Sequence, residues 1–517
     1  MAEGIWGART IFGLLDARAE ATPDAPMLYD EHGRSLTFGA FRDEVLAAAA
    51  GFHALGVTEG TPVVWQLPTR IETIVASFAL SRLGAVQSPV IALYRDREVG
   101  FVLRESGAKF VLVPERWRGY DYPAMVRRAA PEVSPEIVLA YDDLPKGDPG
   151  ALPPLAPPPS MPDDSPVRWV YYTSGTTADP KGVLHTDATL LAGGEAMAAV
   201  LPMGPDDVGS IAFPYGHIAG PDYLIAMLVQ GFPSVLLESF VPSDAIEIYN
   251  RYGVTMAGGS TAFYVALLTE QRKQPGSKII PTLRVLSGGG AAKPPEVYFE
   301  VRDEIGCELQ HGYAMTELPM GAFCRPDDTT EQRAYSEGRP VPGCRIAVVH
   351  PDGTDCEPDE VGEVRVSGTM LFKGYSDPTL DADAFDEQGR YRTGDLGSLR
   401  TDGRLNITGR MKDIIIRKGE NISARDVEDA LYSHPKVRDV AVIGLPDRER
   451  GERVCAVVEP ADSDELAFDE MVEWCLAQGL MKQKIPEQLV VMAEMPRNQT
   501  LNKVLKYKLR EMLAEQP

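Results

Sequence analysis

The sequence predicts an α/β protein. A large N-terminal domain, residues 1–410, would hold mainly parallel sheets covered by helices, and a small α+β domain, residues 411–517, would follow. Three observations carry this. The chain has 517 residues, well past the size at which a single core stops growing. Its first half alternates short apolar runs with helical spacing, the pattern of a parallel sheet with helices on its faces. Near Met411 the texture changes to short strands around one helix, which suits a separate unit of about 100 residues.

Each element follows from its residues. In SLTFGAFRDEVLAAAAGFHAL, residues 35–55, Ser35 or Thr37 is a candidate cap before helical spacing and an alanine run. TPVVWQL and KFVLVP read as short buried strands, and IETIVASFALSRLGA between them as a helix ending near Gly84. LPPLAPPPSMPDDSP, residues 152–166, is too rich in proline for either element and reads as a surface connector. VRWVYYT is then a strand delivering its C-terminal end to a loop, the usual place for a ligand loop. Further on, RLNITGRMKDIIIRKGENIS suggests two short strands with turns, RDVEDALYSHP a helix and RDVAVIGLP a strand.

Composition narrows the function. A hydrophobic content of 44% and a charged content of 24% are those of an ordinary globular chain. The net charge of −24 argues against nucleic-acid binding, which needs clustered Lys and Arg. Any anionic ligand must therefore be held by local groups working against the overall field. Six scattered cysteines without a CxxC pair read as packed or surface thiols, not as a disulfide framework or zinc site. MAEGIWGARTIF lacks the pattern of a signal peptide, and no apolar run approaches the ~18 residues of a membrane span. A cytoplasmic protein is expected.

The stretch YYTSGTTADPKGVLHT, residues 171–186, gathers hydroxyls, glycines and Lys181 after an apolar strand. Successive N–H and O–H donors with glycines make a cradle for phosphate oxygens, although such a turn alone is commonly only a turn. It is not the GxxxxGK[ST] loop, because Lys181 follows Pro180 and precedes Gly182. LSGGGAAKPPE brings three glycines that let a planar ring approach the backbone, or simply form a flexible turn. ELQHGYAMTE offers Tyr313 for stacking, Thr316 as a hydroxyl and Glu317 as a hard oxygen ligand for Mg²⁺. The plainer alternatives are a core aromatic and a helix N-terminal carboxylate. In YRTGDLG, Asp395 is a candidate acceptor for ribose hydroxyls or part of a surface turn. GRMKDIIIRKGEN sets Arg410 and Lys412 at the presumed junction, with Gly419 beyond, or forms a solvated charged hairpin.

In this order the set resembles the adenylate-forming (ANL) superfamily of acyl-CoA synthetases, nonribosomal peptide adenylation domains and beetle luciferases. The resemblance runs from about residue 10 to the C-terminus. It implies an ANL-like fold with a mobile C-terminal domain, and ATP, Mg²⁺ and coenzyme A as reactants. Thr173, Ser174, Gly175, Thr176, Thr177 and Lys181 would grip the β- and γ-phosphates, with Thr176 and Glu317 at the metal. Adenine would lie on Tyr313 beside Gly288, Gly289 and Gly290, within the wall His311, Gly312, Ala314 and Met315. Thr316 would meet the α-phosphate, and Asp395 with Arg410 the ribose.

The family's PRxxxGK lysine corresponds to PRNQTLNK, one residue longer and with Asn502 for the glycine. Asn tolerates left-handed backbone, which favours Lys503 over Lys506 as the lysine that bridges carboxylate and α-phosphate. The family pivot corresponds to Lys412, and the loop around Gly419 would close on a pantetheine passage. FPYGHIAG matches the acyl-pocket motif, with His217 in its gate-like place. Pro214 stands where amino-acid-activating members carry aspartate, which argues against an amino acid as substrate. Gly258, Gly259 and Ser260 would leave room in that pocket for a bulky apolar group.

The resemblance thus implies an acid–CoA ligase for an apolar medium-chain, alicyclic, aromatic or steroid-derived acid. The alternative is a stand-alone adenylating enzyme that loads a carrier protein. A homodimer, and an acetyltransferase acting on Lys503, are further partner expectations.

Overall fold

A six-stranded sheet carries the segment that opens the site. Its order is Lys181–Thr186, Val167–Thr173, Val86–Pro89, Pro62–Trp65, Phe110–Val113 and Glu136–Leu139. All neighbours are parallel except the first pair. Phe110–Val113 is buried at every residue, as expected of a parallel strand covered on both faces. The helix Ile71–Leu83 ends at Gly84, whose φ of 66° is the left-handed turn that glycine adopts without strain. Of the two candidate caps at residues 35–37, Thr37 acts: its hydroxyl accepts from Ala40 N at 3.2 Å and starts the helix Phe38–Ala54. This computed structural model describes residues 5–173, 180–291, 293–417, 420–461, 465–497 and 503–514.

A second, mixed sheet supplies the facing wall. Met256–Gly259, Val285–Gly289 and Glu308–Met315 run parallel, and Leu318–Phe323 and Arg339–Pro340 continue antiparallel. Its register pairs Gly259 with Gly288 and Gly289 with Gly312, so the glycine-rich strand ends lie side by side. A smaller sheet joins Gly209–Ile211, Ser234–Leu236, Pro26–Asp30 and Ser35–Thr37.

The antiparallel sheet Cys344–Val349, Gly362–Gly368, Tyr391–Leu399, Leu405–Arg410 ends at Arg410. One 3₁₀ turn, Met411–Asp413, then hands the chain to Ile414–Arg417 of a separate sheet. The segment expected to hold two strands therefore holds three: Leu405–Arg410 pairs backward with Tyr391–Leu399, and only the next two pair with each other.

The last sheet has a core on each face. Along Val437–Asp447, Val440 and Val442 pack with Val427, Leu431 and Met471, while Ala441, Ile443 and Leu445 pack with Leu509 and Leu513. This is the two-residue period of a strand buried on both sides. All six cysteines are free, five of them buried and Cys356 half-buried. Among the described residues no helix is long and apolar enough to cross a membrane.

Candidate active site

Most of the sequence-predicted residues that the structure describes line one cavity of about 1420 Å³. Thr173 closes the strand Val167–Thr173 and Lys181 opens the strand antiparallel to it, so both edges of the hydroxyl-rich segment reach the cavity wall. Ser174, Gly175, Thr176 and Thr177 lie outside the described residues, as does Gly419.

On the side nearest this segment, Lys181 Nζ sits 5.0 Å from the centre of the Tyr375 ring. Tyr375 Oη donates to Glu317 Oε1 at 2.9 Å and lies 3.0 Å from Tyr391 Oη. Thr316 and Glu317 form the turn between the strands Glu308–Met315 and Leu318–Phe323. That turn is pinned from two sides. Phe372 N donates to the Glu317 carbonyl at 3.0 Å, and His185 Nε2 lies 2.8 Å from the Thr316 carbonyl. A carbonyl only accepts, so His185 carries its proton on Nε2. Burial lowers its pKa to about 4, which keeps the ring neutral. Glu317 on this wall is a hard oxygen donor of the kind Mg²⁺ takes together with phosphate oxygens.

Across the cavity, Tyr313 Oη donates to Asp395 Oδ2 at 2.6 Å, and Arg410 Nε bonds Asp395 Oδ1 at 2.8 Å. Asp395 and Arg410 are direct partners on adjacent antiparallel strands, which fixes the pair at the cavity edge. Gly288, Gly289, Gly290, Gly312, Ala314 and Met315 complete this wall. The glycines also serve the sheet, because a Cβ at Gly288 would overlap the Gly259 carbonyl oxygen. His311 departs from expectation. It is buried outside the cavity lining, with Nε2 donating to the Ala291 carbonyl at 3.0 Å and its ring edge-on to Tyr264.

Lys503 and Lys412 enter from the C-terminal part of the chain. Burial, then the charges of Arg410 and Lys412, lower the Lys503 amine to about 8, with Asp395 opposing them. Lys506 also borders the cavity, but its amine is paired with Glu428 at 2.7 Å. Burial, then the charge of Lys503, lowers His217 to about 4. Ala219 N donates to His217 Nδ1 at 3.2 Å, so the neutral ring bears its proton on Nε2 and can donate there. Lys181, Arg410, Lys412 and Lys503 are among the cations that line the cavity, together with carboxylates such as Glu317 and Asp395.

The same cavity is also lined by the apolar residues Met197, Leu201, Phe213, Ile218, Val265 and Met320. Gly258 and Gly259 border it, but not merely as spare room. A Cβ at Gly258 would overlap the Ser287 carbonyl oxygen on the neighbouring strand, and Gly259 has φ 153° beneath the Phe263 ring. Ser260 is fully buried and does not line the cavity, because it starts the helix Thr261–Arg272. Three residues of this region escaped the sequence reading. His185 is the last residue but one of the hydroxyl-rich stretch itself, whereas Tyr375 and Asp222 carry no motif-like signal.

Residues 15–376 match the family model for AMP-binding enzymes, and residues 426–501 match that for the AMP-binding enzyme C-terminal domain. A medium-chain fatty-acid–CoA ligase of Escherichia coli is 32% identical, covering 98% of this chain and 91% of that protein. A salicyl-AMP ligase / salicyl-S-ArCP synthetase of Mycobacterium tuberculosis is likewise 32% identical, over 96% of this chain and 89% of its own. Among solved structures, the o-succinylbenzoate–CoA synthetase of Bacillus subtilis in complex with its acyl-adenylate intermediate superposes with a TM-score of 0.82. It is 27% identical, over 97% of this chain and 98% of that one. The chain belongs to the AMP-binding enzyme family, in the acyl-CoA synthetase branch of the adenylate-forming superfamily.

Proposed function

We propose that the protein joins an apolar carboxylic acid to coenzyme A through an acyl-adenylate. One observation carries this reading: the Asp395–Arg410 pair, Lys181, Lys503, His217 and a set of apolar side chains all line one cavity. A carboxylate oxygen of the acid attacks the α-phosphorus of ATP, and the bond to pyrophosphate breaks. The thiol sulfur of coenzyme A then attacks the acyl carbon, loses its proton and releases AMP. Lys503 would neutralise charge building between carboxylate and α-phosphate. The Asp395–Arg410 pair would hold the ribose, and Lys181 would follow the departing pyrophosphate. Glu317 would hold Mg²⁺, which supplies neutralising charge to the phosphates when bound, and Thr316 would meet the α-phosphate.

The first half-reaction needs Lys503 in the cavity, where it stands, and the second needs space for a pantetheine arm. Rotation of residues 411–517 about the turn at Lys412 would exchange the two arrangements. His217, neutral and donating from Nε2, suits orientation of the carboxylate better than proton abstraction. The apolar lining supports a medium-chain, alicyclic, aromatic or steroid-derived acid. Similarity to the salicyl-S-ArCP synthetase at the same identity as to the fatty-acid–CoA ligase favours a carrier protein as the second reading of the acceptor.

Pyrophosphate release with Mg-ATP should be followed across fatty, alicyclic, aromatic and steroid-derived acids, with and without coenzyme A. Turnover that needs both acid and coenzyme A, with AMP as product, is expected. A single burst unaffected by coenzyme A would point to carrier loading, and ADP as product would overturn the adenylation reading.

A further inference from the structure

Asp222 lies in the helix Ala219–Gln230 with no exposed surface, surrounded by apolar neighbours on its own helix. It is also among the residues that line the cavity, as are Phe213, Ile218 and Leu201. Neither carboxyl oxygen has a hydrogen-bond partner among the described residues. The hydroxyl of Tyr171, whose own setting is influenced by Asp222, is likewise without a partner. Across from the carboxyl, on the helix Asp187–Val200, stands Gly193. A Cβ there would come to 3.0 Å from Asp222 Oδ1 and 3.1 Å from Pro319 Cβ, so glycine leaves the space this carboxyl occupies.

A buried polar group without a partner is costly, and native proteins rarely keep one that a hydrophobic residue could replace. Among the described residues this carboxyl has no hydrogen-bond partner, and it stands in the first turn of its own helix. It borders the cavity that the acid must enter. We propose that Asp222 is a specificity residue, holding a hydroxyl or carbonyl oxygen carried on the otherwise apolar acid. This rests on the acid-ligase reading above and names its substrate class more closely: an oxygenated apolar acid.

Burial raises the carboxyl of Asp222 well above the usual carboxylate range, which favours its protonated form. A protonated carboxyl both donates and accepts, which suits a hydroxyl or a ketone. An ammonium group would instead require Asp222 to ionise within an apolar wall, where desolvating two charges offsets their attraction. A neutral oxygen on the substrate therefore fits better than an amine.

The test compares the full-length enzyme with Asp222→Leu and Asp222→Asn. The acids are matched pairs on one skeleton, plain against hydroxylated or oxidised to the ketone, plus the amino analogue. Pyrophosphate release gives kcat/KM for each. The wild type should prefer one oxygenated acid over its plain partner by roughly 10-fold or more, Asp222→Leu should bring that ratio close to one, and Asp222→Asn should keep part of it. Without acid, Asp222→Leu should also melt higher than the wild type, because an unpartnered carboxyl has been removed.

An equal preference in wild type and Asp222→Leu would overturn the proposal. So would an Asp222-dependent preference for the amine, or a lower melting temperature for Asp222→Leu with an unchanged ratio, which would mark a structural role. If no acid releases pyrophosphate, the ligase reading falls on its own. Thermal shift by the same acids then decides the role of Asp222: the oxygenated acid must stabilise the wild type more than its plain partner, and Asp222→Leu must abolish the difference.

Discussion

Lys503 is the residue whose setting most directly predicts a pH profile. Burial and the charges of Arg410 and Lys412 bring its amine down to about 8. It is therefore a cation below that pH and neutral above it, and only the cation can offset charge at the α-phosphate. The kcat/KM of adenylate formation, which reports groups of the free enzyme, should fall as pH rises through about 8. Lys503→Arg should remove that limb, because a guanidinium stays charged. An unchanged limb in this variant would assign it to another group. His217, already neutral above about pH 4, should add no limb near neutrality. The sequence placed Lys503 by its spacing from Pro496 and Arg497, but two lysines competed there. What separates them is a distant partner, since Glu428 engages Lys506, and no local pattern announces such a pair.

Among the elements, the glycine-rich strand ends show how a sequence reading can find the right residues for an incomplete reason. Gly258 reads as room for a bulky acid, yet a Cβ there would strike the Ser287 carbonyl oxygen on the adjacent parallel strand. Backbone atoms cannot swing aside as a flexible side chain can. Gly258→Ala should therefore destabilise the protein by roughly 1–3 kcal/mol, the usual cost of overpacking, as a drop in melting temperature. An unchanged melting temperature would mean that the strands separate freely at this point. Most element types were legible in the chain. The helix stop at Gly84, the cap at residues 35–37 and the strand VRWVYYT all rest on local chemistry, and the structure has each of them. The strand Leu405–Arg410 was merged with its successors because pairing partners, not local pattern, decide which sheet a strand joins.

At the scale of the whole molecule, the cavity is assembled from segments spread between Thr173 and Arg510. Their order along the chain was readable, and it carried the family resemblance. Their support was not. His185 meets Thr316 and Tyr375 meets Glu317 across 131 and 58 residues of sequence. The contact between the C-terminal part and the rest includes the Arg425–Glu337 pair at 3.4 Å. Glu337 is buried and Arg425 is largely shielded, so the rotation proposed above between the two half-reactions would have to separate and rehydrate a pair that is costly to break singly.

That division of labour gives the most direct test. Lys503→Ala should be assayed in each half-reaction separately: adenylate formation from acid and Mg-ATP, and thioester formation from supplied acyl-adenylate and coenzyme A. Adenylate formation should fall by about 100-fold or more, the scale seen when a group stabilising transition-state charge is removed, while thioester formation is largely retained. Equal loss in both steps would contradict a lysine that serves only the first.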